Sequence, residues 1–222
     1  MIDIPKTFIL QTPDTPFPNV DSALNEPNGL IAIGGDLSTE RLLSAYHQGI
    51  FPWYSAYSAG EPILWYSPNP RMVITRDTLH VSRSLHKVLK NRHFEVRMNG
   101  AFASVIQHCQ QVKRRQQNST WINDDMLHAY VQLHHQGFAQ SIEVYQQDRL
   151  VGGLYGVVLG KVFFGESMFS LVSDASKVAF VHLLRGTDYQ LVDCQVENPH
   201  LKRLGAFNIS RNAFIAKLRQ LL

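Results

Sequence analysis

The chain has 222 residues, 45% of them hydrophobic, and a net charge of +3, which is enough apolar material for one full core with a smaller unit packed against it. No apolar run reaches the length of a membrane span, and the opening "MIDIPKTFIL" lacks the basic start and apolar stretch of a signal peptide, so a cytoplasmic protein without membrane contact is expected. Cys109 and Cys194 lie far apart without C-x-x-C spacing, which suits two buried thiols and gives neither a disulfide framework nor a zinc site.

In chain order, the first part is acidic and punctuated by proline and glycine. Residues 1–67 hold Lys6 and Arg41 against seven carboxylates, a balance of −5 that leaves +8 for the remainder. A basic C-terminal part fits a polyanionic partner and equally fits a solvated surface with none. Between "EPNGLIAIGGDLS" and "GIFPWYSAYSAGEPILWYSPNPR" one helix is predicted from Ser38, a good N-cap, to Gly49, a good stop, with Leu42, Leu43 and Tyr46 on its packed side. "SPNP" at 67–70 reads as a joint between a small N-terminal domain, 1–67, and a larger one, 68–222. Beyond it, helical periods run over 82–91, 100–117, 123–136, 174–185 and 211–221, and extended ones over 93–98, 138–147, 149–158, 161–166 and 189–195. The fold class is therefore mixed α/β, of the α+β kind. The segments between 138 and 166, joined through "QQD" and "LGK", read as an antiparallel meander rather than part of a doubly wound parallel sheet.

Several stretches carry residues of chemical interest. "GGLYG" at 152–156 lies inside an extended run, where glycines permit bulges or close backbone approach, rather than between a strand and a helix as a phosphate loop would. In "SRSLHKVLKNR", Arg83, Lys87 and Lys90 share one helix face while Leu85, Val88 and Leu89 face away; phosphate contact and simple solvation both explain such a stripe. "KRRQQ" at 113–117 adds a second basic cluster. Trp53, Trp65 and Trp121 sit in polar or proline-rich contexts, suited to stacking a base or to packing under a loop. In "YQLVDCQVENPH" a period of two puts Asp193 and Gln195 on one face and Cys194 on the other, either a site at a strand end or a pair of capping contacts. Ten histidines, "HH" at 134–135 among them, show no metal-ligand spacing. In "FFGESMFS", Glu166 stands among aromatic residues, where a carboxylate is destabilising unless paired, and so marks a site.

Taken together and in order, "EPNGLIAIGGDLS", "AYHQGIFPW", "WYSPNPR", "LVGGLYG", "FFGESMFS", "DASK" and "LVDCQ" followed by "HLKRLGA" closely resemble the leucyl/phenylalanyl-tRNA–protein transferase family, from about Glu26 to Arg211. The chain departs from the family pattern at Tyr66, Asn69 and Asp174. The resemblance implies a small N-terminal domain joined to a GNAT-like domain with a largely antiparallel mixed sheet flanked by helices. It implies a monomer that needs no metal or organic cofactor. The implied reaction moves leucine or phenylalanine, with methionine as a third candidate, from aminoacyl-tRNA to proteins beginning with Arg or Lys, marking them for N-degron degradation. By the same resemblance Asp193 and Gln195 stand beside the reacting centre as catalytic residues. Glu166 meets a substrate cation at the mouth of a pocket lined by Leu154, Phe163, Met168, Phe180 and Val192. Trp53, Trp121, Tyr46 and Tyr130 hold the terminal adenosine, Asn198 joins the substrate-binding set, and Arg83, Lys87 and Lys90 take the acceptor stem. A CoA-dependent acetyltransferase is the nearest rival, but its Gly-rich pyrophosphate loop has no counterpart in "SLVSDASK" at 170–177. A noncatalytic RNA-binding module would not require the carboxylate pocket.

Overall fold

The computed structural model describes residues 5–53, 62–91, 94–111 and 122–222. After a short 3-10 turn come β1 (Ile9–Leu10), β2 (Leu30–Gly34), α1 (Thr39–His47), β3 (Phe51–Trp53) and β4 (Leu64–Tyr66). These strands form a four-stranded sheet in the order β1-β2-β4-β3. Helix α1 forms as predicted: the Ser38 side chain accepts from the Arg41 N–H, Leu42 and Tyr46 are buried, and Gly49, at φ +72°, turns the chain out of the helix. The four small strands escaped the sequence reading because each has five residues or fewer and most lie among prolines and glycines that read as loop.

The rest of the chain runs β5 (Arg71–Ile74), α2 (Arg83–Asn91), β6 (Glu95–Met98), α3 (Phe102–Gln111), α4 (Asp124–His135), β7 (Ala139–Gln146), β8 (Arg149–Leu159), β9 (Val162–Ser170), α5 (Ala175–Gly186), β10 (Leu191–Gln195), α6 (Pro199–Arg203), β11 (Phe207–Ile209) and α7 (Arg211–Leu221). Its seven-stranded sheet has the order β11-β5-β10-β9-β8-β7-β6. Every neighbouring pair is antiparallel except β9 and β10, which α5 connects as a parallel pair. The predicted meander is β7-β8-β9, and its first turn places Gln147 and Asp148 at φ +50° and +57°, the mirror-image turn that matches strand twist. Helix α3 is described to Gln111, so the rest of the helix expected over 100–117, with "KRRQQ", lies outside the described residues.

Strand β9 runs four residues beyond its predicted end at 166, because "SMFS" continues the ladder with β8 as far as Ser170 opposite Gly152. The "GGLYG" run is the middle of β8. A Cβ on Gly152 would lie 2.5 Å from that of Ala175 in α5, and one on Gly156 would lie 2.1 Å from the Phe164 carbonyl, beside a bulge. These glycines serve close packing.

Two apolar clusters cover the faces of the large sheet. One joins Tyr46, Trp65, Tyr130, Tyr155, Phe164 and Phe214, spanning both sheets; the other joins Met72, Leu85, Leu154, Phe163, Phe180 and Val192 beneath α2 and α5. Phe163 and Phe164, adjacent in β9, therefore enter opposite clusters, as strand alternation requires. Arg211 at the start of α7 donates to the Ser67 carbonyl (2.7 Å) and the Val20 carbonyl (3.1 Å), tying the last helix to the first part of the chain. At the other end of the meander, Asp174 precedes α5 at φ +70°, a left-handed position that Asp tolerates nearly as well as Asn, and pairs with Lys177 at 2.7 Å. No described helix is long and apolar enough to cross a membrane.

Candidate active site

Strands β9 and β10 are paired from Leu191↔Val162 to Asp193↔Phe164 and then part. Beyond that point β9 stays with β8, whereas β10 shifts register against β5 between Asp193 and Gln195. Gln195 is left-handed, at φ +63°. The gap between the strands opens a cavity of about 470 Å³. All five expected apolar residues line it: Leu154, Phe163, Met168, Phe180 and Val192. If this cavity takes the donor side chain, as the resemblance implies, Met168→Ala and Phe180→Ala should change the ratio of rates among Leu, Phe and Met donors by about tenfold or more, since pocket methylenes are each worth roughly 1 to 3 kcal/mol. Proportional loss with all three donors would remove these residues from the side-chain site.

The polar end of the cavity is built around Glu166, which is 7% exposed. Its carboxylate accepts from the Tyr46 hydroxyl at 2.8 Å, the Tyr130 hydroxyl at 3.1 Å and the Gln195 side-chain amide at 3.1 Å, and the two hydroxyl oxygens lie 2.5 Å apart. Burial pushes the Glu166 carboxyl up to about 8 against the opposing pull of the two tyrosine hydroxyls, and burial likewise raises both tyrosines. Tyr46 and Tyr130 are themselves completely buried, with Tyr46 against Phe164 and Tyr130 edge-on to Tyr155. In the structure neither ring has an exposed face, and the hydroxyls of both residues, expected to hold an adenosine, serve Glu166.

Asp193 and Gln195 meet differently from the expected shared strand face. The left-handed Gln195 breaks the period of two, and the two residues are joined by the Gln195 backbone N–H donating to Asp193 Oδ1 at 2.9 Å. The Asp193 carboxylate is fully buried and paired with Arg71, whose Nε reaches Oδ1 at 2.8 Å and Nη2 reaches Oδ2 at 2.6 Å. Arg71 also donates to the Gly49 carbonyl at 3.1 Å and lies against the Phe51 and Phe214 rings, 4.7 and 4.6 Å from their centroids. Sequence reasoning missed Arg71; its one signal was an arginine heading the apolar run "RMVI".

Trp53 is half-buried and forms part of the cavity wall, edge-on to Tyr66, while Trp121 lies outside the described residues. Trp65 is fully buried, its indole N–H donating to the Gly34 carbonyl, so it packs rather than stacks on a ligand. Asn198 is at the rim, where its Oδ1 accepts from the His200 and Leu201 N–H groups and caps α6. Arg83, Lys87 and Lys90 are exposed on α2, which is anchored by buried Leu85 and half-buried Val88 and Leu89; none of the three lines the cavity. His134 stacks on Phe102 at 4.3 Å and is half-buried. Cys109 is buried and Cys194, on the cavity wall, is half-buried, its thiol pushed well up by burial. Among the described residues no group of three His, Cys, Asp or Glu could hold a metal ion.

Residues 73–219 match the sequence profile of leucyl/phenylalanyl-tRNA protein transferase, and residues 35–69 match that of the same protein's N-terminal domain. The chain is 54% identical over 211 residues to the leucyl/phenylalanyl-tRNA–protein transferase of Nitrosomonas eutropha, covering 94% of this chain and 88% of the relative. It is 54% identical over 196 residues to that of Myxococcus xanthus, covering 87% and 82%. Among solved structures it is similar to a GCN5-related N-acetyltransferase from Kribbella flavida, with a TM-score of 0.40 and 8% identity over 76% of this chain and 60% of that one. With both profiles matched in order and half of the residues shared with such relatives over most of its length, the chain belongs to the leucyl/phenylalanyl-tRNA–protein transferase family of aminoacyltransferases.

Proposed function

We propose that this aminoacyltransferase moves a leucyl or phenylalanyl group, and methionyl as a third donor, from aminoacyl-tRNA to the N-terminal α-amine of proteins beginning with Arg or Lys. It acts as a monomer in the cytoplasm, and its products are marked for N-degron degradation. The observation that carries this reading is the cavity itself: an apolar wall sized for an aliphatic or aromatic side chain, closed at one end by a buried carboxylate and an amide. In this reading residues 68–222 form a GNAT-like domain that carries the chemistry, and the unit of residues 1–67 supplies Tyr46 and Trp53 to it.

The donor ester is already activated, so the enzyme's task is to hold the acceptor amine against the carbonyl and to stabilise the charge that develops on its oxygen. The new C–N bond forms as the C–O bond to the terminal ribose breaks, and the amine's proton ends on the ribose oxygen. An α-amine with an ordinary pKa of about 7.7 to 8.0 supplies an appreciable neutral fraction near pH 7, so a strong base is unnecessary. Gln195 orients the reacting groups, Glu166 takes the substrate cation, Trp53 with Trp121 takes the adenosine, and Asn198 shapes the rim. Mixing the protein with charged Leu-tRNA and an Arg-initiated peptide should give a Leu-Arg peptide by mass spectrometry. Acetylation of that peptide from acetyl-CoA, without leucine transfer, would overturn the reading.

The basic face of α2 takes the acceptor stem. Changing Arg83, Lys87 and Lys90 together to alanine should weaken tRNA binding and lower the slope of log affinity against log salt by about 2 to 3, because each lost phosphate contact removes counterion release. A short aminoacyl-adenosine donor should be nearly unaffected. Equal losses with both donors would assign the stripe another role.

A further inference from the structure

We propose that Arg71 is a positioning residue for the reaction, acting through Asp193 to hold the backbone turn that aims Gln195, and that Asp193 serves this turn rather than receiving a proton. The proposal rests on the transferase reading above.

The Asp193 carboxylate has three donors and no exposure: Arg71 Nε and the Gln195 N–H on Oδ1, and Arg71 Nη2 on Oδ2. A proton arriving from an amine would have to displace one of these hydrogen bonds inside the protein, two of them charge-assisted. The same contacts explain the backbone. A left-handed residue other than glycine costs roughly 1 to 2 kcal/mol, and an aspartate accepting from the N–H two residues on is the local contact that compensates for it. Gln195 at φ +63° with its N–H on Asp193 Oδ1 fits that description. The turn coincides with the register shift between β10 and β5, and beyond it the Gln195 amide reaches Glu166 Oε1 at 3.1 Å.

Arg71 joins this turn to a second element. Its Nη1 holds the Gly49 carbonyl at 3.1 Å, just past the end of α1, the helix that carries Tyr46. Tyr46 and Gln195 both donate to Glu166 Oε1. One buried guanidinium, fixed between the Phe51 and Phe214 rings, therefore sets the relative placement of the two elements that converge on one carboxylate oxygen.

The test removes the charges as a pair, because either one left alone in the interior would destabilise the fold. Arg71→Gln with Asp193→Asn keeps a side-chain oxygen for the Gln195 N–H and abolishes basicity; Arg71→Gln with Asp193→Ala removes the oxygen as well. With an aminoacyl-adenosine donor and an Arg-initiated peptide, the Asn pair should keep single-turnover rates within about tenfold of the parent with the same pH dependence. The Ala pair should lose about a hundredfold in kcat with KM little changed, the scale of a small misplacement at a reacting centre. The side-chain amide NMR signal of Gln195, which needs no substrate, should shift in the Ala pair and stay in place in the Asn pair. Loss of one ionisation from the pH–rate profile of the folded Asn pair, or rates in it as low as in the Ala pair, would make Asp193 a base and overturn the proposal, as would equal rates and unmoved signals in both pairs. Should the parent protein transfer no leucine at all, the transferase reading fails, and the amide signals still decide whether Asp193 positions Gln195. Arg71→Lys, which keeps the charge but not the paired contact with Asp193, should move the Gln195 signal as well, and an unmoved signal there would overturn the role of Arg71.

Discussion

Arg71→Met should lower the unfolding free energy by about 3 to 5 kcal/mol, because it leaves the Asp193 carboxylate buried without its partner. Arg71 is 1% exposed and Asp193 0%, so no solvent reaches the site to replace the two N–H donors. The Gly49 carbonyl loses its donor in the same step, and the Phe51 and Phe214 rings lose the cation between them. Urea denaturation followed by tryptophan fluorescence measures the loss. Adding Asp193→Leu to Arg71→Met should recover most of the stability, since a buried ion pair and an apolar pair of similar volume are often close in free energy. Activity should stay lost in that double variant, because no oxygen remains to hold the Gln195 turn. A single Arg71→Met variant within about 1 kcal/mol of the parent would show that Asp193 is solvated or paired elsewhere, contrary to the geometry.

Glu166→Gln should change how stability depends on pH. Three oxygen–oxygen contacts close a ring among Tyr46, Tyr130 and Glu166, and the two hydroxyl protons can occupy only two of them; a carboxyl proton completes the third. This agrees with a Glu166 carboxyl raised to about 8 from its ordinary 4.5 by burial, with the neighbouring Asp193 charge adding to the rise and the tyrosine hydroxyls and Arg71 opposing it. Between those two values the folded protein binds a proton that the unfolded chain does not. The associated stability is fully present below about pH 4.5 and is lost as pH rises through about 8. Glutamine does not titrate, so in Glu166→Gln the decline over this window should shrink by a few kcal/mol. Urea denaturation of both proteins at intervals from pH 5 to pH 8.5 tests this, and parallel stability curves would mean that Glu166 is ionised throughout. Under the proposed function, binding of a substrate cation by Glu166 releases its proton. The KM of that substrate should then fall as pH rises toward 8, and the trend should disappear in Glu166→Gln.

Features carried by neighbouring residues were legible in the sequence. Helix α1 follows from Ser38, Gly49 and the spacing of Leu42 and Tyr46; the meander follows from two-residue alternation interrupted at Gln147–Asp148 and Gly160–Lys161. The pocket wall came through the resemblance and not through period: Phe163 and Met168 are five positions apart in β9, which alternation would put on opposite faces, and they share a wall because the ladder with β8 shifts register between Gly165 and Ser167. The short strands β1 to β5 and β11 were not legible: they have two to five residues, most of them lie among prolines and glycines that read as loop, and β5 is buried along its whole length and so shows no alternation.

From the amino-acid order alone came the family, through long motifs in sequence, together with the helices, the meander and the list of apolar residues that meet at the cavity. Tertiary structure decided how the polar residues pair. Arg71 and Asp193 are 122 positions apart, Tyr46 and Glu166 are 120 apart, and no local pattern links either pair. Strand period put Asp193 and Gln195 on one face, and the resemblance gave the two tyrosines to an adenosine; in the fold Asp193 and both tyrosines are buried, and Gln195 turns out of period at the end of β10. The physical reason is that an apolar side chain needs only a face, which periodicity supplies, whereas a buried polar group needs a particular partner at hydrogen-bonding distance, and that partner is chosen when distant segments pack.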